Sequence, residues 1–285
     1  MKISEKFKQG RTVFSFEVFP PKKTSSVDTV YKALDEMKEL FPDFISVTYG
    51  AGGTSVNNFT AQIASYINDM GITAAAHLTC VNNNRSDILE VLADFKKRGI
   101  ENILALRGDI PEGVTPKEDF KYASDLVRFI KANGDFHVSG GCYPEVHPEA
   151  PDMITDIRHL KEKVDAGAEH LMSQLFFDNA VFYDFLEKAR IAGINVPIEA
   201  GIMPVTNKNQ IERMVALCGA SLPSKFSKMI SRYEHNPEAL RDAGIAYAVD
   251  QIVDLISNGV DGIHLYTMNN PYIARKISES VKSLL

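Results

Sequence analysis

Apolar and polar positions along the chain repeat one phrase: a stretch with helical period, a glycine, and then a short β-rich run. The closing glycines are Gly71, Gly99, Gly134, Gly167, Gly193 and Gly259, placed where the left-handed conformation that ends a helix costs glycine no Cβ clash. The runs behind them are Thr73–Leu78, Asn102–Leu106, His137–Cys142, His170–Gln174, Pro197–Ile202 and Gly262–Tyr266; Val13–Phe19 and Phe44–Thr48 bring the set to eight. Helical patterns lie near 27–40, 57–70, 86–98, 119–133, 154–166, 179–192, 210–217 and 237–258. Strands alternating with helices require crossover connections and a parallel sheet. Eight such units in 285 residues predict an α/β TIM (β/α)8 barrel, a single domain over 1–285, with an open doubly wound sheet as the alternative. The longest interruption, 219–236, predicts an insertion with an extra short helix between the seventh and eighth strands.

Period two sorts each run into two faces. Phe14, Phe16 and Val18 oppose Ser15 and Glu17; Ile45 and Val47 oppose Ser46 and Thr48. His77 falls with Ala75 and Thr79, Arg107 and Asp109 with Ala105, Gln174 with Met172 and His170, and His264 with Tyr266. One face is apolar enough to pack helices. The other turns polar toward the strand ends, where packing alone would place branched apolar residues.

Charge narrows the function classes. Thirty-one basic against 37 acidic residues give a net charge of −6, which excludes the basic footprint of a nucleic-acid binder. No apolar run is long enough to span a membrane, and MKISEKFKQGRTVFSFE lacks a signal-peptide core. Cys80, Cys142 and Cys218 are too few and too scattered for a disulfide framework. The expectation is a cytoplasmic globular enzyme or binding protein.

Candidate chemistry gathers at the strand ends. Glu17 lies inside the apolar run FSFEVFPP, where desolvation would keep a carboxyl protonated and available as a general acid; the bland alternative is a structural ion pair with an interior cation such as Arg107. ALRGD (105–109) puts a cation, a glycine and a carboxylate where a strand becomes a loop, which reads as a site or as a surface turn. In GAGGTS (50–55), Gly50 and Gly52 match the dinucleotide fingerprint but Ser55 occupies its third glycine position, leaving a tight ligand-approaching loop or a plain turn. CYPEVHPEAPD (142–152) is stiffened by proline and holds Tyr143 and His147 at the mouth. His77, Cys80, Cys142 and His147 show no metal-ligand spacing, so no metal is expected. Lys163 reads by default as a solvated helical lysine. Gln174 can either read a heterocycle or tie strands together.

Jointly, FSFEVFPPK, FISVTYGAGG, AHLTC, ILALRGD, YPEVHPEA, KVDAGA, QLFFD, GIMPV and HLYTMN, in that order between residues 14 and 269, resemble the methylenetetrahydrofolate reductase family in its short bacterial-type form. The resemblance implies a TIM-barrel flavoprotein that uses FAD. Hydride from NADH or NADPH would pass by ping-pong through flavin N5 to 5,10-methylenetetrahydrofolate, giving 5-methyltetrahydrofolate. It implies Glu17 as general acid on folate N10 and Asp109 as a catalytic carboxylate near flavin and folate. For FAD it implies Thr48, Tyr49, Ala51, His77, Arg107, Gly108, Asp109, Ala123, Tyr143, His147, Ala150, Asp156, His159, Glu162 and Lys163. For the substrate it implies Asp109, Gln174 and Gln210, with Met214 and Asn270 where the family pattern has a phenylalanine and an arginine. A homo-oligomer and an electron-transfer partner protein are further implications. The rival readings are another barrel enzyme, either a different flavin oxidoreductase or a Schiff-base lyase, and a flavin- or folate-binding subunit fed by a partner.

Overall fold

The computed structural model describes residues 1–21, 25–49, 59–110, 115–208, 211, 214–215 and 218–285. Eight parallel strands close in chain order into a barrel: β1 (Val13–Val18), β2 (Phe44–Val47), β3 (Thr73–Thr79), β4 (Asn102–Leu106), β5 (His137–Cys142), β6 (His170–Ser173), β7 (Ile198–Ile202) and β8 (Gly262–Tyr266). The expected closed barrel, rather than an open sheet, is what forms. Helices α1 (Asp28–Lys38), α2 (Phe59–Asp69), α3 (Arg85–Lys97), α4 (Ala123–Asn133), α5 (Met153–Asp165) and α6 (Asn179–Ile191) follow the first six strands. The expected extra helix is α7 (Ser224–Tyr233), ahead of α8 (Pro237–Ser257). The 210–217 pattern lies largely outside the described residues. None of the described helices is long and apolar enough to cross a membrane.

Apolar outward faces of the strands meet the helices in one core, with Phe14, Phe16, Ile45, Ile103 and Leu171 fully or almost fully buried. Burial of each such side chain contributes about 1.5–3 kcal/mol. A second, smaller cluster closes the barrel floor, where Ile3 meets Val13, Phe44, Ala75, Leu104 and Met172. Ile3 stands on a short 3-10 turn (Ile3–Glu5) pinned by its backbone N–H to Asn102 Oδ1 at 2.8 Å.

Three local readings are corrected. Gly134 ends α4 in extended backbone (φ −179°), not in the left-handed region that the other five closing glycines adopt. On β4 it is Leu104 and Leu106 that face the lumen, while Ala105 packs outward. Alternation stops at the strand's end: Arg107 lines the cavity although Ala105 packs outward, and Gly108 at φ +87° redirects the chain before Asp109. Finally, an unanticipated helix α9 (Pro271–Val281) follows β8, burying Ile273, Ala274, Ile277 and Val281 on one stripe.

Asn270 starts that helix. Its side chain accepts the Ile273 N–H at 3.3 Å with Pro271 behind it, an N-cap arrangement. Asn270→Ala should therefore lower stability by about 1 kcal/mol, and Asn270→Asp should restore it, as thermal denaturation would show. A folate KM that rises in the alanine variant without a stability loss would instead make Asn270 a ligand contact.

Candidate active site

The C-terminal ends of the strands open into a cavity of ≈ 1120 Å³, larger than a drug-sized ligand requires. Glu17 stands on its floor. Registry sets Glu17 beside Ser46 of β2 and Tyr266 of β8. Its Oε2 lies 3.5 Å from His77 Nε2 and 3.7 Å from His264 Nε2. Among the described residues it meets no lysine or arginine. Arg107 instead forks onto Glu149 through two contacts of 2.5 Å. The structural pair between Glu17 and Arg107 is thus not formed.

His77 is buried, and desolvation lowers it to about 4. It is neutral near pH 7, with an Nε2 that makes no hydrogen bond within the protein. His264 is anchored from below by Ser15 Oγ, 2.7 Å from its Nδ1. Tyr266 donates its hydroxyl to Ser173 O at 2.7 Å. That ring fits because residue 201 is glycine: a Cβ there would sit 2.8 Å from the Tyr266 hydroxyl and 2.3 Å from Ser173 O.

Beyond β5 the loop brings Tyr143 and His147 to the cavity wall. Tyr143 is half-buried, and desolvation pushes its hydroxyl up to about 12. Gln174 Oε1 accepts the Leu175 N–H at 2.8 Å. The Tyr143 and His147 rings meet edge to face at 4.6 Å. His147 Nδ1 accepts the Glu149 N–H at 3.1 Å, so its neutral form carries the proton on Nε2.

Asp156, His159, Glu162 and Lys163 turn one side of α5 toward the cavity. Lys163 is not a solvated helical lysine. Its stem crosses Gly140, where a Cβ would lie 2.6 Å from Lys163 Cδ, and Nζ donates to Gly141 O at 2.5 Å. Desolvation lowers its pKa, against the opposing pull of Cys142 and Asp156. Thr48, Tyr49, Gly108, Asp109, Ala123 and Ala150 also line the cavity, as does Met214. Ala51, with the rest of the 50–55 loop, and Gln210 lie outside the described residues. Asn270 is exposed and does not line the cavity.

Sequence reasoning missed Tyr122, which lines the cavity and stacks on His159 at 5.9 Å. It also missed the pairing of His264 with Glu17. Tyr122 left no periodic signal because it precedes α4 in irregular chain. His264 sat on the polar face already recognised, but nothing local connects β8 to β1. Burial raises both Cys80 and Cys142 to about 12, and no three His, Cys, Asp or Glu among the described residues converge as a metal site.

Residues 2–282 match the family described as methylenetetrahydrofolate reductase. The chain belongs to the methylenetetrahydrofolate reductase family. It is 36% identical over 274 residues to the 5,10-methylenetetrahydrofolate reductase of Pectobacterium carotovorum subsp. carotovorum, covering 96% of this chain and 91% of that one. It is 38% identical to methylenetetrahydrofolate reductase 2 of Saccharomyces cerevisiae, but spans only 48% of that longer protein. Among solved structures, a Clostridium thermocellum protein that binds two copies of 5-methyl-5,6,7,8-tetrahydrofolic acid superposes with a TM-score of 0.71. The match covers 99% of this chain and 100% of that one at 15% identity, a likeness of fold. The methylenetetrahydrofolate reductases are oxidoreductases, and this member presents a carboxyl between two imidazoles beneath a large open mouth.

Proposed function

We propose that the chain reduces 5,10-methylenetetrahydrofolate to 5-methyltetrahydrofolate with FAD as cofactor, NADH or NADPH as donor and Glu17 as general acid. The observation that carries this reading is Glu17 itself. Its carboxyl faces the cavity with the imidazoles of His77 and His264 as its neighbours. No guanidinium or ammonium among the described residues holds it ionised, which a proton donor to folate N10 requires. Family membership supplies the substrate class, and the Clostridium thermocellum neighbour carries a ligand of that class.

The residues present fit FAD. His77 Nε2 is a buried polar atom without a hydrogen-bond partner, aimed into a cavity that also offers Arg107 and Lys163 as cations for a pyrophosphate. The amide end of α4, at Ala123 and Ser124, opens onto the same space, and Tyr122 with His159 offers a flat face for a ring. FAD, when bound, supplies two-electron hydride chemistry between nicotinamide and folate. Glu17 gives its proton to N10, which opens the five-membered ring to a 5-iminium cation. The carboxylate of Asp109 at the rim favours that positive charge. Gln174, held by the Leu175 N–H, presents an amide that can both donate to and accept from a pterin.

The test is an anaerobic absorbance spectrum of FAD-reconstituted protein, with NADH and then methylenetetrahydrofolate added. The visible flavin band should bleach and then recover. A bound flavin that NADH leaves oxidised, but that the folate reoxidises after chemical reduction, would assign the donor to a partner protein. Absence of flavin binding would refute the proposal.

A further inference from the structure

Below Glu17 the barrel lumen is polar where a packed core would be apolar. Ser15, Ser139, His137, His170, Glu199 and His264 are all 0–1% exposed. Ser15 is the hinge of this set. Its Oγ lies 2.7 Å from His264 Nδ1 and 2.9 Å from Glu199 Oε1. The far oxygen of Glu199 lies 3.1 Å from His170 Nε2. His170 Nδ1 meets Ser139 Oγ at 3.0 Å, Ser139 meets His137 Nε2 at 3.4 Å, and His137 Nδ1 meets Glu169 at 3.4 Å. Glu169 reaches the barrel's outer rim, where Lys131 pairs with it.

We propose that Glu199 acts through Ser15 as a proton clamp on the His264–Glu17 pair, holding one proton on that pair when Glu199 is ionised. The inference rests on the reading of Glu17 as general acid. Ser15 has a single hydroxyl proton, and the two nearest groups that can receive it are Glu199 and His264, with the Ile263 carbonyl farther off at 3.4 Å. While Glu199 is protonated, its O–H donates to Ser15 Oγ and Ser15 donates to His264 Nδ1. His264 then carries its proton on Nε2, which lies 3.4 Å from Ser46 Oγ and 3.7 Å from Glu17 Oε2, facing the Glu17 carboxylate. When Glu199 releases its proton to Ser15, Ser15 passes its own to His264 Nδ1 and turns to donate to the new carboxylate. His264 Nδ1–H now donates to Ser15, and its Nε2 proton is free to load Glu17. No atom is gained or lost: one proton leaves Glu199, one arrives on Glu17, and His264 changes tautomer.

The surroundings make Glu199 suited to this exchange. Desolvation raises it to about 7, aided by the carboxylates of Asp43 and Asp261 and opposed by His264 and the Ser15 hydrogen bond. His170, the other titratable group against it, is held neutral by burial. Two carboxyls linked through Ser15 and His264 share one proton, so cutting either link leaves Glu17 without the Glu199 proton as a reserve.

The experiment compares wild type, Glu199→Gln and Ser15→Ala. In flavin-free protein on the alkaline side of neutrality, 15N NMR should find His264 Nδ1 protonated in wild type. It should find Nδ1 bare in Glu199→Gln, whose amide leaves Ser15 free to donate to the ring. In the FAD-loaded enzyme, the alkaline limb of flavin reoxidation by methylenetetrahydrofolate should move about one pH unit toward acid in both variants. Flavin reduction by NADH should stay within about twofold. Ser15→Ala keeps both carboxyls and changes the packing least, so it decides the matter if Glu199→Gln does not fold. The same Nδ1 state in all three proteins with an unmoved limb would overturn the clamp. A wild-type flavin that the folate cannot reoxidise would overturn the general-acid reading instead, with the NMR comparison still reading the clamp.

Discussion

Glu17→Gln is expected to slow flavin reoxidation by methylenetetrahydrofolate about 10²–10⁴-fold while NADH still bleaches the flavin at close to the wild-type rate. Glutamine keeps the size and hydrogen-bonding reach of the side chain between His77 and His264, 3.5 and 3.7 Å away. What it lacks is an acidic proton for N10. The loss corresponds to about 3–5 kcal/mol of barrier, more than a surface carboxylate contributes to anything. The nicotinamide half-reaction needs no proton at this position. Rapid-reaction measurement of each half separately is the decisive check. Folate-driven reoxidation surviving within about tenfold would remove Glu17 from the chemistry, and an equal loss in both halves would make its role structural.

Gly244→Ala should destabilise the protein by about 3 kcal/mol or more. In most helix interiors this exchange gains about 1 kcal/mol, because alanine is the better helix former. Here α8 crosses the chain leaving β7 so closely that a Cβ would lie 1.7 Å from Val205 O and 2.7 Å from its carbonyl carbon. Both contacts are backbone, so no side chain can swing aside. The helix must move away, or Val205 must withdraw along with the neighbouring Met203 that lines the cavity. A fall in Tm of roughly 6–12 °C follows for a domain of this size, read by calorimetry. An unchanged or raised Tm would show that α8 stands off from β7.

Local geometry explains what was legible. Strand boundaries were read to within a residue or two because alternation and the glycine that ends a helix are properties of neighbours in sequence. The same locality made Glu17 conspicuous, as a charge on an apolar strand. Glu199 carries that signal too, in PIEAGI, but one charge on a five-residue strand says nothing about its partner. Asn270 shows the converse. An Asn-Pro pair ahead of an amphipathic stripe signals a helix start, and Asn270 caps that helix in the structure.

By itself, then, the chain's sequence determined eight βα units, their order, the polar faces of most strands and the carboxyl at the end of the first. Each of these follows from backbone sterics and hydrophobic period within about twenty residues. Tertiary structure decided which side chains meet. Closure places β1 against β8 and brings Ser15 to His264 and Glu199, 249 and 184 positions away. It also gave Arg107 to Glu149 rather than Glu17 and drew Lys163 across Gly140. Hydrogen bonding and desolvation act between neighbours in space, and a period in the sequence carries no record of who those neighbours are.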